Sequence, residues 1–314
     1  MTLYTVIVTY NAARWIERNI RSLREGTLKP QIVVVDNGST DATIALIQQF
    51  PDVVLIQNQQ NVGFGKANNI GMRHALQNQA DHIFLLNQDA YVFPDALAHL
   101  VDVATHHPDV GILSPIHLNG DVTQVDPRFL TYLNFDPVRR YLSDLASGNP
   151  IDALYNSTYF NAAAWLLPRQ MLLKIGGFDP LYFMYGEDDD LCNRVLRHQY
   201  KIGLVPAAKI AHYRENSGRP LTWRQKLYIK TNAQYAILLT RVKDIRYGFV
   251  KGLLRASALF VSEFGRSVFS GYGMKSLAML LGAGWILARF PKILKHRRQT
   301  LTFGAHWLEI DSSP

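Results

Sequence analysis

Short apolar runs rich in β-branched residues alternate with helix-patterned segments through the first hundred residues, and this alternation restricts the fold more than any other feature of the chain. TVIVTY, QIVVVDN, VVLIQN and HIFLLNQDA lack the polar/apolar alternation of a half-exposed strand. Strands of that kind are covered on both faces. Helical patterning fills the intervals at residues 13–25, 41–49, 66–78 and 94–106. Strand–helix alternation predicts an α/β fold with a mostly parallel sheet flanked by helices. Ser39-Thr40-Asp41 suits a helix cap and Pro94 a helix first turn, which supports the same division. Ligands of such sheets bind beyond the carboxyl ends of the strands, so the polar residues that close each run are the first candidates for chemistry.

Farther along, Pro127, Pro137, Gly148 and Pro150 mark an irregular connection over residues 121–157, the kind of long loop that covers a second substrate. TYFNAAAWLLPR then reads as a strand, MLLKIGGFD as a short helix ending at Gly176-Gly177, LCNRVLRHQY as a helix and KIGLVPAAKIAHY as a strand. Beyond Pro220 the strands stop, and residues 221–243, 246–270 and 274–298 read as helices with apolar and basic positions mixed. The expected organisation is an α/β domain over residues 1–218, a basic amphipathic helical region over 219–300 and a tail over 301–314.

Charge follows the same division. The chain carries a formal +8, yet residues 214–298 hold 17 Lys/Arg against three acids, which leaves residues 1–213 at −4. An acidic front and a basic back suggest two jobs. Cys192 is the one cysteine, so no internal disulfide forms and a reducing compartment is allowed. The N-terminus has no basic segment ahead of its apolar run and reads as a buried strand, not a signal peptide. The uncharged stretch 276–288 is shorter than the ~20 residues of a membrane span, and Arg289 and Pro291 prevent its extension. A basic, apolar helix of this length suits the surface of an anionic membrane, or a bundle packed on the first domain or on a second subunit. Its basic residues are interleaved with aliphatic runs, which argues against nucleic-acid binding.

Five places carry candidate chemistry. Asp36 closes a strand, where a carboxylate can accept hydrogen bonds from a base or ribose; Asp-Asn-Gly-Ser-Thr-Asp also serves as an ordinary turn and cap. Asn61 to Asn69 carries Gly63 and Gly65 ahead of a helix, which permits close approach of a phosphate to free N–H groups. It lacks the third glycine of a dinucleotide fingerprint, and Lys66-Ala67 is not a P-loop. Asn87-Gln88-Asp89 ends a buried strand with one acid, a fit for a hard cation shared with a diphosphate. Glu187-Asp188-Asp189-Asp190 places four acids in a row before an amphipathic helix. A helix cap needs one acid, and crowding raises the pKa of at least one of the four, as suits a general base. His212 ends a strand, where it is either a metal ligand or a structural histidine.

Taken in order, VIVTYNAARWIERNIRSL, VVVDNGSTD, NQQNVGFGKANNIGM, FLLNQDA, GGFDPLYFMYGEDDDLCNR and AHYRENSG resemble the inverting family 2 glycosyltransferases with the GT-A nucleotide-diphospho-sugar fold, in the bacterial rhamnosyltransferase-like branch. The resemblance covers residues 6–218. It implies that Thr9, Tyr10 and Asn11 line the nucleotide pocket, that Asp36 binds the base or ribose, and that Asn61, Gly63, Asn68 and Asn87 shape the donor site. Asp89 becomes a ligand of Mg²⁺ or Mn²⁺, with His212 near the metal and diphosphate. Asp188 becomes the catalytic base, with Glu187 and Asp190 supporting the helix or the acceptor site. The family's DxD motif reads Asn87-Gln88-Asp89 here, which leaves the first metal contact open. The implied partners are a nucleotide-diphospho-sugar donor and a saccharide or polyprenyl-linked glycan acceptor, with rhamnose from a thymidine donor as the first guess. A homo-oligomer is a further expectation, as is a cytoplasmic location with peripheral attachment to the inner face of the membrane. Two other readings compete: a sugar nucleotidyltransferase, which needs a glycine-rich loop where this chain has TYNAARW, and a non-catalytic saccharide-binding scaffold, which has no need of the acid cluster.

Overall fold

The computed structural model describes residues 1–214 and 221–310. The end of the AHYRENSG motif and the expected domain boundary at 218/219 lie outside the described residues, as do the last four of the tail.

The first half follows the alternation: β1 (Leu3–Thr9), α1 (Ile16–Glu25), β2 (Gln31–Asp36), α2 (Thr43–Ile47), β3 (Val54–Gln57), α3 (Phe64–Gln77) and β4 (His82–Asn87). These strands pair in parallel in the order β3-β2-β1-β4. Val6, Ile7, Val33, Val34, Ile83 and Phe84 are fully buried, as strands covered on both faces must be. The register sets Thr9 beside Asp36 and Val8 beside Asn87, which lines the polar strand ends into one row.

The second half runs β5 (Ala90–Val92), α4 (Ala96–His106), β6 (Val110–Asn119), α5 (Pro127–Leu133), α6 (Arg139–Ser147), β7 (Tyr155–Ser157), β8 (Ala164–Pro168), α7 (Arg169–Ile175), α8 (Glu187–Arg197) and β9 (Lys201–His212). The sheet continues as β8-β6-β9-β5, with β7 also on β9. β8 lies antiparallel between β4 and β6, and β6 is parallel to β9. Three features differ from the sequence expectation. β5, β6 and β7 have no separate counterpart in it. The strand read across TYFNAAAWLLPR is confined to Ala164–Pro168. The irregular connection holds α5, whose cap Asp126 accepts from the Phe129 N–H at 2.8 Å, and α6. Phe129 is buried between His117 and Phe160, with ring centroids 4.2 and 5.4 Å away, which pins α5 over the sheet.

The basic region forms α9 (Trp223–Lys243), α10 (Phe249–Phe269), α11 (Gly273–Ala288) and α12 (Phe290–Gln299). The helix expected over 274–298 is two helices meeting at 67°; Pro291, in the first turn of α12, marks the break. Tyr235, Leu239, Val242, Ile286 and Ile293 share a core with Leu181 and Tyr182 of the first domain. The tail returns to that domain. Leu308 is fully buried in the main core, and Arg73 pairs with Glu309. A side chain at Gly176 would lie 2.4 Å from the His306 carbonyl, so this close approach requires glycine. Among the described residues no single helix is long and apolar enough to cross a membrane.

Candidate active site

Two cavities open at the carboxyl ends of the strands, of about 540 and 340 Å³. Phe64, Asn87, Arg128, Met184, Tyr185 and Arg214 line both, so the two adjoin. Asp89 and His212 line the larger; Glu187, Asp188 and Asp189 line the smaller. Residues a hundred positions apart in sequence thus face one compound cleft.

In the larger cavity, the Asp89 Oδ1 and His212 Nε2 atoms are 3.2 Å apart, and the Asn87 amide nitrogen is 3.4 Å from that same Nε2. The pair exists because β5 runs antiparallel to β9, with Ala90 opposite His212. Burial would raise the Asp89 pKa, but the His212 hydrogen bond and the nearby charges of His212 and Arg214 outweigh it and hold the carboxyl below its usual range. His212 is 3% exposed and its Nδ1 has no hydrogen-bond partner, so the nitrogen that faces Asp89 is the one positioned to act.

In the smaller cavity, Gly186 (φ 84°) turns the chain into α8 and places all four acids in its first turn. The helical period then separates them. The Asp188 Oδ2 accepts the Tyr159 hydroxyl at 2.9 Å and its Oδ1 accepts the Asp189 N–H at 2.9 Å. Burial lifts the Asp188 pKa above the usual carboxylate range, against the lowering effect of the Tyr159 hydroxyl. Glu187 is 5% exposed with Oε2 unpartnered; burial first, then the charge of Asp188, push it to about 8. Desolvation thus leads both upward shifts, and the like-charge crowding inferred from sequence comes second at Glu187. Asp190 turns away from the cavity. It accepts Arg194 Nε at 2.9 Å and Lys243 Nζ at 2.8 Å. Lys243 also pairs with Asp179, which meets His296 Nδ1 at 2.7 Å. Asp190 thereby fastens α8 to α9 and, through Lys243 and Asp179, to α12.

Several residues expected at the nucleotide do not line the larger cavity. Asp36 is fully buried, and its carboxylate is occupied by the Thr9 hydroxyl (2.9 Å), the Ser39 hydroxyl (2.5 Å) and the N–H groups of Gly38 and Ser39. Its geometry is that of a turn organiser; Asn37, the next residue, lines the cavity. Thr9 is buried and serves Asp36. Asn11 (φ 52°) staples the turn by accepting the Thr40 N–H at 2.9 Å. Asn68 is buried and donates to the Phe64 carbonyl one helical turn back. Tyr10, Asn61 and Asn87 do line the larger cavity. Gly63 has φ 90°, and a side chain there would lie 2.3 Å from the Phe183 carbonyl, so it shapes the wall by close approach.

Arg128, Arg214, Tyr132 and Tyr159 line the cleft without having been singled out in the sequence. Arg214 was findable, two residues past His212. Its Nε donates to Asp126 Oδ2, which fixes it against the cap of α5. Arg128, Tyr132 and Tyr159 were not, since they lie in or beside the proline-punctuated connection, where no periodicity marks an inward face.

Residues 4–172 match the family described as Glycosyl transferase family 2, and residues 150–216 match the N-terminal domain of galactosyltransferase. The chain is 29% identical over 236 residues to N-acetylglucosaminyl-diphospho-decaprenol L-rhamnosyltransferase of Mycobacterium tuberculosis, covering 68% of this chain and 77% of that protein. It is 24% identical over 256 residues to Rhamnosyltransferase WbbL of Escherichia coli K12, covering 77% of this chain and 97% of that protein. Its fold is similar to that of mannosyltransferase PcManGT from Pyrobaculum calidifontis, solved with GDP-Man and Mn²⁺, with a TM-score of 0.57, 21% identity and coverage of 98% and 84%. It is also similar to Staphylococcus aureus TarS 1–349 solved with UDP, with a TM-score of 0.53, 14% identity and coverage of 80% and 68%.

Proposed function

The chain belongs to glycosyl transferase family 2, in its rhamnosyltransferase-like branch, and from that premise we propose that it transfers rhamnose with inversion from a nucleotide-diphosphate donor to a polyprenyl-diphosphate-linked glycan. The donor occupies the Asp89 cavity and the acceptor hydroxyl the Asp188 cavity. The observation that carries this proposal is the junction of the two cavities, with Asp89 and His212 on one side and Asp188 on the other.

Among the described residues no group of three or more His, Cys, Asp or Glu gathers to hold a metal ion. Asp89 and His212 nonetheless fit Mg²⁺ or Mn²⁺ as a two-ligand site, because such ions commonly take one or two protein ligands and complete their shell with substrate phosphates and water. A cation bound there would offset the negative charge that develops on the leaving diphosphate. Arg128 and Arg214, at the junction of the cavities, add fixed positive charge on the same side. Asp188 accepts the proton of the attacking hydroxyl, held in orientation by Tyr159. Its raised pKa brings it closer to the operating pH, where a general base works best. Attack from the face opposite the diphosphate inverts the anomeric centre.

The basic helices hold the enzyme on an anionic membrane. Val250, Leu254, Val261 and Val268 recur along α10 with high exposure, Phe269 is 94% exposed, and Lys251 and Arg266 lie among them. Because the tail packs into the main core, truncation is a poor test, and point changes are better. Val261→Glu with Phe269→Glu should reduce co-sedimentation with phosphatidylglycerol vesicles; unaltered sedimentation would favour a second subunit on this face.

The activity test supplies thymidine-diphosphate rhamnose, other nucleotide sugars and a synthetic prenyl-diphosphate N-acetylhexosaminide, with and without Mn²⁺. Rhamnosyl product of inverted configuration supports the assignment. Transfer of a different sugar replaces the donor, and release of no nucleotide diphosphate from any donor returns the chain to the scaffold reading.

A further inference from the structure

A third cavity, of about 360 Å³, lies where the first domain meets the C-terminal helices. One wall is Val62, Lys66 and residues 180–183; the other comes from α9, α11 and the start of α12. Lys66, Arg289 and Lys292 all open onto it, and no acidic side chain lines it. None of the three has an ion pair among the described residues; Arg289 instead lies 5.4 Å from the Tyr235 ring centroid and 5.3 Å from that of Trp285. Tyr235 is 3% exposed and its hydroxyl has no hydrogen-bond partner. Burial keeps that hydroxyl protonated, so it is a donor. Buried donors are nearly always paired, and one buried hydroxyl donor with three cationic side chains around the same cavity suits an anion.

We propose that this cavity binds the diphosphate group of the lipid-linked acceptor, at an anion site separate from the donor's. The proposal rests on the acceptor class assigned above and deepens it. Position supports it. The two strips that form the wall alternate between cavities: Phe64, Met184 and Tyr185 line the catalytic cleft, while Val62, Lys66 and Phe183 line this one. The Phe64 N–H donates to the Phe183 carbonyl at 3.1 Å, and Asn232 of α9 donates to the Met184 carbonyl at 2.7 Å. A diphosphate seated here stands one wall away from Asp188. The Tyr228 and Trp285 rings, 6.0 Å apart, offer apolar surface to the first prenyl units. Leu280, Leu281 and Leu287, also on α11, are exposed.

The test measures Trp fluorescence or heat on titrating inorganic pyrophosphate and, separately, a water-soluble prenyl diphosphate. EDTA is present so that metal-dependent donor binding is silent. The exposed pair Arg289→Ala/Lys292→Ala and the single variant Tyr235→Phe are compared with wild type. Wild type should bind prenyl diphosphate more tightly than pyrophosphate. The double variant should weaken both by about tenfold or more, since a charge-assisted hydrogen bond is worth about a factor of ten. Mn²⁺-dependent nucleotide binding should be unchanged in that variant, which also reports that it is folded. Equal affinity for the two ligands would overturn the lipid source, and binding that survives the double variant would overturn the site. Wild type that binds prenyl diphosphate here yet transfers no rhamnose would overturn the donor assignment and leave this site standing.

Discussion

Replacing Lys243 by Met tests the join between the helical region and α8. Lys243 has no exposed side-chain surface and bridges Asp179 and Asp190, whose side chains are 0% and 5% exposed. Removing one partner of a buried ion pair leaves an uncompensated charge and costs about 3–5 kcal/mol. Here Asp190 keeps Arg194 and Asp179 keeps His296, so the lower end of that range, about 3 kcal/mol, is the better figure. At roughly 2 °C per kcal/mol for a chain of this size, Tm should fall by about 6 °C. The pH dependence fixes the cause. Burial would raise the Asp179 pKa, but Lys243 and then His296 outweigh it and hold the carboxyl far below its usual range. A depressed carboxylate contributes stability that is present above its unfolded pKa of about 3.9 and is lost as pH falls toward its folded one. Without Lys243 the depression shrinks. The stability gap between wild type and variant should therefore be widest near pH 7 and narrow on acidification below about pH 4. Chemical denaturation followed by Trp fluorescence across that range measures both quantities. A variant within about 1 kcal/mol of wild type at pH 7, or a gap indifferent to pH, would refute the reasoning.

Glu187→Gln removes a carboxyl whose pKa burial lifts to about 8. Such a group stabilises the fold below its unfolded value and loses that contribution as pH rises to the folded value, so the variant should gain on wild type between about pH 4.5 and 8. Parallel Tm profiles would contradict this. Asp89→Ala should weaken Mn²⁺-dependent binding of nucleotide diphosphate by about tenfold or more in calorimetry; an unchanged isotherm would remove Asp89 as ligand. Gly63→Ala, at φ 90° and with a Cβ 2.3 Å from the Phe183 carbonyl, should cost more than about 1 kcal/mol in urea unfolding, and a smaller loss would mean that the wall gives way.

The parallel half of the sheet was legible because β1, β2 and β4 are built on apolar, mostly β-branched runs buried on both faces, with most of their polar residues at the strand ends. The mixed half was less so. β6 contains Ser114, Pro115 and His117, all buried, and nothing in sequence distinguishes buried polar residues from a loop. At the site, residue identity was easier to read than orientation. The acid cluster and Asp89 stood out by composition, yet only the helical geometry separates Asp188, facing the cleft, from Asp190, facing Lys243. Asp36 shows the same limit: the sequence marks a strand-end carboxylate, and only the structure reveals the four local hydrogen bonds it accepts. The tail, set apart by sequence as a separate segment, is anchored by Leu308 through long-range burial that no local pattern announces.

Steady-state transfer by Asp188→Asn bears most directly on the pairing of the two cavities. Asn keeps the side-chain size while losing the proton acceptor. The expected result is a kcat lower by about 10²–10⁴-fold, with the dissociation constant for nucleotide diphosphate and Mn²⁺ unchanged. Turnover close to wild type would contradict the assignment of Asp188, and with it the claim that base and donor face one another across a single cleft.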